Sequence, residues 1–248
     1  MAAPLDKSPD RISAMFDAIA GRYDFLNHFL SAGLDTRWRA RAMREAHLAQ
    51  QARVLDLCTG TADLAIAALH AEPTARVVGV DFAGAMLRVG LDKLRRRGLA
   101  SRISLVRGDA ASIPVGDAWA DAATIGFGIR NVAQPELAIR ELARVMAPGG
   151  RLVILEFGEP RIPGIRTLYQ WYFRYVLPRL GRAVSKHDSA YSYLPASVGT
   201  FPPPSVFAAT LSSHGFRDVR AVPLSFGIVY LYVGTRAQQP LGSTVEPR

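Results

Sequence analysis

The chain has 248 residues, enough for one large α/β domain with a full core, and its formal net charge of +9 favours an anionic surface (nucleic acid or acidic lipid headgroups) or a solvated basic face. No stretch approaches the ~18 uninterrupted apolar residues of a membrane span, and the start, Met1-Ala-Ala-Pro-Leu-Asp-Lys7, predicts no secretory signal. Cys58 is the only cysteine, so intramolecular disulfides and cysteine-rich zinc sites are excluded and a reducing cytoplasm is the expected compartment.

Ser8-Pro9-Asp10 reads as an N-cap followed by proline at the first helical position, and helical patterning continues, with a break near Gly33, to about Ala46. Residues 53–58 read as a first strand, with a helix after Thr61. Residues 76–81 form a second strand and 83–97 a helix. A third strand spans 103–109 and a fourth 121–128. Pro135 opens a helix that is expected to stop at Pro148-Gly149-Gly150, and a buried strand follows at 151–157. This alternation predicts a mostly parallel sheet with right-handed crossovers. The rhythm breaks over 159–201, an aromatic and basic stretch that reads as a lid-like insertion. A helix over 205–214 ends at Gly215, and two β-rich runs, 218–225 and 227–236, are placed for antiparallel pairing at one edge. One domain over 8–236 is therefore expected, with 237–248 a polar, disordered tail.

The most telling stretch is Arg53-Val-Leu-Asp-Leu-Cys-Thr-Gly-Thr-Ala-Asp63, with Val77-Val-Gly-Val-Asp81 after it. An apolar strand carrying an acid, Asp56, passes through a turn at Gly60 into a helix, and a second strand ends in Asp81. That is the layout of a nucleoside-binding βαβ unit, with an acid for the ribose hydroxyls. The turn holds one glycine where a dinucleotide site wants three, so the cradle for a pyrophosphate is missing. A nucleoside without one fits, and S-adenosylmethionine is the obvious ligand. Asp56, Gly60, Thr61, Asp81, Phe82, Asp109 and Ala110 are the candidate contacts, the last two for the adenine edge. Against this stands the reading that each acid caps the helix after it.

Further segments carry a family resemblance. They are Arg22-Tyr-Asp-Phe-Leu-Asn27, Thr124-Ile-Gly-Phe-Gly-Ile-Arg-Asn-Val132, Arg144-Val-Met-Ala-Pro-Gly-Gly-Arg-Leu-Val-Ile-Leu-Glu156 and Lys186-His-Asp-Ser-Ala-Tyr-Ser-Tyr-Leu-Pro-Ala-Ser-Val198. The chain resembles the demethylmenaquinone and polyprenyl-benzoquinol C-methyltransferases from about residue 8 to 235. The resemblance implies an α/β, Rossmann-like class I methyltransferase fold, a mostly parallel seven-stranded sheet whose last strand is antiparallel. It also implies S-adenosylmethionine held by Thr61, Asp81, Asp109 and Ala110. The family usually has glycine where this chain has Ala62. A left-handed backbone there would strain alanine, whereas a place in the helix's first turn would not, and the helical placement is expected.

Methylation of a quinol ring carbon needs in-line alignment, exclusion of water and a phenolate-like ring. No metal is required. Arg130 and Asn131, just past the fourth strand, are candidates to stabilise the phenolate and to hold the second ring oxygen. Tyr23 could bond the hydroxyl, and His187 has the ordinary pKa of a base. The competing readings are an Arg130–Glu156 ion pair, a core Tyr23 and a helix-capping His187. Residues 161–186 hold six basic residues (Arg161, Arg166, Arg174, Arg179, Arg182, Lys186) and no acid, with Tyr169, Trp171, Tyr172, Phe173, Tyr175, Val176 and Leu177 interleaved. Such a segment can stack nucleic acid, lie at a lipid interface or pack as a lid. The resemblance implies a polyprenylated quinol substrate, which favours a lid with peripheral contact at the inner face of the membrane and no nucleic acid. A homodimer stays open. So do another apolar phenol as acceptor and a non-catalytic cofactor-binding scaffold.

Overall fold

The computed structural model describes residues 7–160, 162–172, 175 and 188–238. Its centre is a seven-stranded sheet: β1 (Arg53–Leu57), β2 (Arg76–Asp81), β3 (Ile103–Arg107), β4 (Ala120–Gly126), β5 (Met146–Phe157), β6 (Phe216–Leu224) and β7 (Val229–Arg236). The order is β3-β2-β1-β4-β5-β7-β6. The first five strands are parallel, and β7 runs antiparallel to both β5 and β6. The last strand in sequence thus lies inside the sheet, and the hairpin's first strand forms the edge.

A strand buried on both faces needs apolar side chains at successive positions, and β1 and β5 supply them. Alternation then divides one strand between two cores. Leu55, Leu57, Leu152 and Ile154 join one cluster, while Val54, Val153 and Leu155 join the other. The first is covered by Ile139 and Leu142 of α6 (Pro135–Val145) and by Phe207 and Leu211 of a later helix over Pro204–Ser213. The second is covered by Trp38 and Met43 of α3 (Leu34–Ala46), Leu64 and Leu69 of α4 (Asp63–Ala71) and Leu94 of α5 (Gly84–Arg96).

Before the sheet come α1 (Pro9–Ile19), a 3-10 turn at Ala20–Arg22, and α2 (Tyr23–Leu30). Asp17 of α1 accepts the Ala85 N–H at 2.8 Å, placing a carboxylate on the N-terminal end of α5, where the helix dipole favours it. From the stretch over 159–201, the described residues form α7 (Pro163–Trp171) and α8 (Asp188–Gly199), and Pro204–Ser213 is α9. The helix expected to stop at Pro148 ends earlier, at Val145. Met146 already pairs with Ala120, so β5 absorbs Pro148-Gly149-Gly150 as an irregularity before Arg151 pairs with Ala122. The tail beyond Gln238 lies outside the described residues.

Candidate active site

Strand order reverses between β1 and β4, so the loops after these strands splay apart and open a crevice at the carboxyl edge of the sheet. A cavity of about 220 Å³ fills it. Gly60, Asp81, Phe82, Asp109, Ala110 and Asn131 line this cavity. Asp81 ends β2 and does two jobs. Its Oδ2 accepts the Gly60 N–H at 2.8 Å and its Oδ1 the Ala83 N–H at 2.9 Å, which braces the turn after β1 against the start of α5. Each carboxylate oxygen keeps a lone pair for a ribose hydroxyl. Burial pushes this carboxyl up, and the backbone N–H groups of Ala83, Gly60 and Phe82 oppose the rise.

Two residues proposed as cofactor contacts are turned elsewhere. Asp56 is wholly buried, accepting from Thr59 Oγ1 at 2.6 Å and Thr124 Oγ1 at 2.7 Å, and it does not line the cavity. It lies one residue short of the end of β1, so it braces the loop from below. Thr61 is also absent from the wall. Its hydroxyl bonds to Asp24 of α2 at 2.5 Å and accepts from Lys93 at 3.2 Å. Lys93 completes the group, pairing with Asp63 at 2.7 Å and with Asp24. Thr61 therefore ties the N-terminal helices to the core.

Ala62 corrects a second expectation. It precedes α4, at φ 67° and ψ 24°, in the left-handed region, with its methyl fully buried. Cys58 (φ 56°) and Phe127 (φ 58°) also have positive φ, in the loops after β1 and β4. Such strain gathers where a loop is shaped for a ligand. The two loops also touch: a Cβ on Gly128 would stand 2.3 Å from that of Cys58, so only glycine fits. Burial raises the Cys58 thiol well above its ordinary value, keeping it protonated.

A second cavity, of about 460 Å³, adjoins the first. Phe16, Tyr23 and Phe127 line both. Trp38, Phe127 and Phe157 form an aromatic wall, with Phe127 and Phe157 centroids 4.6 Å apart. Leu168, Trp171 and Tyr172 of α7 and Tyr193 and Leu194 of α8 close the other side. Arg130 lines this cavity, in the buried ion pair that was its competing reading, with Glu156 Oε1 at 2.7 Å. It also donates to the Phe127 carbonyl and lies over the Phe157 ring, 5.3 Å from its centroid. Asn131 lines the first cavity and not the second. Its Oδ1 is buried without a hydrogen-bond partner among the described residues. Tyr23 sits at the junction, its hydroxyl raised by burial and bonded to Asn27.

His187, the base candidate, lies outside the described residues. So do Arg161, Phe173, Arg174, Val176, Leu177, Arg179, Arg182 and Lys186. The sequence reading missed Lys7, which lines the first cavity. Burial and the nearby Arg130 lower its pKa, and Glu156 partly restores it. Nothing in its sequence context marks it, for it precedes the first helix. Phe16 carries a signal in hindsight, seven positions before Tyr23 on helical spacing.

Together the sheet order and the cleft at its reversal are those of the Rossmann-like class I methyltransferase fold. The profile of the ubiE/COQ5 methyltransferase family matches residues 5–236, and the chain belongs to that family, which makes it an S-adenosylmethionine-dependent methyltransferase. It is 47% identical over 223 residues to the ubiquinone/menaquinone biosynthesis C-methyltransferase UbiE of Syntrophotalea carbinolica, covering 90% of this chain and 93% of that protein. It is also 47% identical over 222 residues to the demethylmenaquinone methyltransferase of Thermus thermophilus, covering 90% and 100%. Among solved structures, a SAM-dependent methyltransferase from Aquifex aeolicus superposes with a TM-score of 0.56 at 18% identity, covering 94% of this chain and 98% of that one. The [4+2]-cyclase SpnF superposes at 0.61 with 17% identity, covering 96% and 99%. These structures share the fold alone.

Proposed function

We propose that the chain is an S-adenosylmethionine-dependent C-methyltransferase that methylates the ring carbon of a polyprenylated quinol, demethylmenaquinol to menaquinol, with a polyprenyl-benzoquinol as a further acceptor. The observation that carries this reading is the wall shared by two unlike cavities. One has acids at strand ends suited to a nucleoside. The other is aromatic and apolar, suited to a ring with a greasy tail.

The residues of the first cavity fit the cofactor. Asp81 is the acceptor for the ribose hydroxyls, and Asp109 with Ala110 meets the adenine edge. Among the residues lining this cavity Lys7 is the cation, and it faces the carboxylate of the amino-acid end. The orphaned Asn131 Oδ1 is an acceptor for the neighbouring ammonium, a role that replaces the one expected for it on the quinol. When bound, the cofactor supplies the methyl electrophile and its own leaving group.

The protein's part is alignment and charge. Arg130, held by Glu156, Phe127 and Ser197, presents a fixed positive charge to the acceptor cavity and stabilises a ring oxygen as its proton leaves. The freed electron pair makes the adjacent ring carbon nucleophilic; after transfer that carbon's proton is lost and the ring oxygen takes a proton back from water, which restores the aromatic quinol with a net loss of one proton. Tyr23 stays protonated at neutral pH and acts as a hydrogen-bond donor at the junction. Phe16 and Phe127 exclude water there.

Access to the acceptor cavity is greasy on the outside as well. Leu168 (63% exposed) and Trp171 (53%) on α7 line it and also face outward, and the stacked Phe25 (59%) and Phe29 (50%) on α2 flank residues that line it. No helix among the described residues is long and apolar enough to cross a membrane. Exposed aromatics on two neighbouring amphipathic helices support a peripheral membrane contact. Vesicles containing anionic lipid retain the protein at low salt on this reading, and equal recovery with and without vesicles refutes it.

The decisive assay is transfer of labelled methyl from S-adenosylmethionine to reduced demethylmenaquinone, run beside a reduced polyprenyl-methoxybenzoquinone and a no-acceptor control. Label in menaquinone supports the assignment. Cofactor binding with no label in either product overturns it and favours a non-catalytic scaffold.

A further inference from the structure

The acceptor cavity contains a hydrogen-bond donor without an assigned task. Tyr193 reaches the cavity from α8, and its hydroxyl is sealed from solvent with no partner among the described residues. A buried hydroxyl left without a partner is costly, so one in a cavity wall is placed to meet a ligand.

Two further observations give the group its direction. Ser197 lies four residues further along α8, hence on the same face of the helix, and accepts from Arg130 Nε at 3.3 Å. The face that carries Tyr193 is therefore tied to the ion pair assigned to the acceptor ring. Arg130 and Glu156 also both act electrostatically on the Tyr193 phenol. Three other polar groups around the cavity are engaged. Trp38 Nε1 donates to Ser225 at 2.9 Å, the Tyr172 hydroxyl to the Leu30 carbonyl at 3.4 Å, and Asp35 is held by Ser31 and Arg39.

We propose that Tyr193 reads the acceptor's second ring oxygen: its phenol O–H donates to whichever quinol oxygen Arg130 does not hold, setting the rotation of the ring and selecting a dihydroxy ring over a monohydroxy one. The inference rests on the quinol reading. Burial raises the phenol's pKa, so Tyr193 stays protonated and no proton changes hands in this contact. Its role is orientation and specificity. Arg130 faces the oxygen whose proton is lost, and Tyr193 faces the oxygen that keeps its proton.

The test uses the full chain and two synthetic acceptors. One is a 2-prenyl-1,4-naphthoquinol, and the other is the matching 3-prenyl-1-naphthol, which lacks only the oxygen distant from the reacting carbon. Values of kcat/KM are measured for wild type and Tyr193→Phe, and the ratio between acceptors is compared. The intrinsic reactivities of the two rings cancel in that comparison. The expected result is a fall of about tenfold for the quinol with Tyr193→Phe, an unchanged rate for the naphthol and an unchanged KM for S-adenosylmethionine. Tyr193→Gln, which restores a donor, recovers part of the preference.

An equal fall for both acceptors means that Tyr193 only packs, and overturns the proposal. So does an unchanged ratio. Wild-type protein that binds S-adenosylmethionine but methylates neither ring overturns the quinol reading itself, and the proposal falls with it.

Discussion

Arg130 and Glu156 meet at 2.7 Å with their side chains 7% and 0% exposed, so a full ion pair lies sealed beside the acceptor cavity. Glu156 Oε1 also accepts the Phe157 N–H, and Oε2 the Arg130 N–H. With its oxygens committed, Glu156 orients the guanidinium. Removing one partner leaves a buried charge uncompensated. Glu156→Ala is expected to cost about 3–5 kcal/mol in urea unfolding. The double replacement Arg130→Met with Glu156→Leu recovers most of that stability and none of the methyl transfer. Activity retained in the double variant would remove Arg130 from the chemistry.

Lys7 gives a prediction that separates the two cavities. If it meets the cofactor's carboxylate, Lys7→Met weakens S-adenosylmethionine about tenfold or more by calorimetry, in line with a charge-assisted hydrogen bond. It leaves 5′-methylthioadenosine, which has no carboxylate, unaffected. An equal loss for both ligands would place Lys7 in a purely structural role.

Asp56 predicts a pH dependence of stability. Burial raises its carboxyl from 3.8 to about 6. Between about pH 4 and 6 the folded protein holds a proton that the unfolded chain has released. This contribution is therefore favourable at the acid end of the window, and it is lost as pH rises through 6. Asp56→Asn lacks the titration. From pH 4 to 7 the stability difference is expected to move in favour of the variant by about 3 kcal/mol, measured by urea unfolding at each pH.

Ala62 offers a test of the backbone itself. In the left-handed region glycine relieves strain of about 1–2 kcal/mol, but it gives up a buried methyl and adds freedom to the unfolded chain. Ala62→Gly is therefore expected to change stability by less than about 1 kcal/mol. Ala62→Val, β-branched and crowded at positive φ, is expected to cost more than about 2 kcal/mol. A helical Ala62 would give a different pattern, with glycine costing about 1 kcal/mol and valine less.

The strands were legible because an apolar run ending in an acid or a glycine turn admits few other structures, and β2 falls at the boundaries read from its residues. The place of Asp81 at the end of β2 was legible for the same reason. That the Asp56 and Thr61 side chains turn away from the cavity wall was not legible, because sequence gives the end of a strand but not the direction in which a side chain leaves it. One residue inside that end, Asp56 turns into the sheet. Thr61 could be understood only once α2 was folded over it and Asp24 had arrived from 37 positions away. Ala62 misled because its neighbours have helical propensity, and the demands of the loop override it. Lys7, Phe127 and Phe157 reach the cavities through tertiary packing, which leaves no local mark.

The position of β7 has a consequence for biosynthesis. It is made last among the strands, yet it supplies the hydrogen-bond partner for the whole flank of β5 from Arg151 to Phe157. A nascent chain whose residues 229–236 are still inside the ribosome carries an open edge of Val153, Ile154 and Leu155, an invitation to pair with a neighbouring polypeptide. The sheet cannot close until β7 has emerged, so protection of that edge during translation falls to chaperones or to the speed of that strand's arrival.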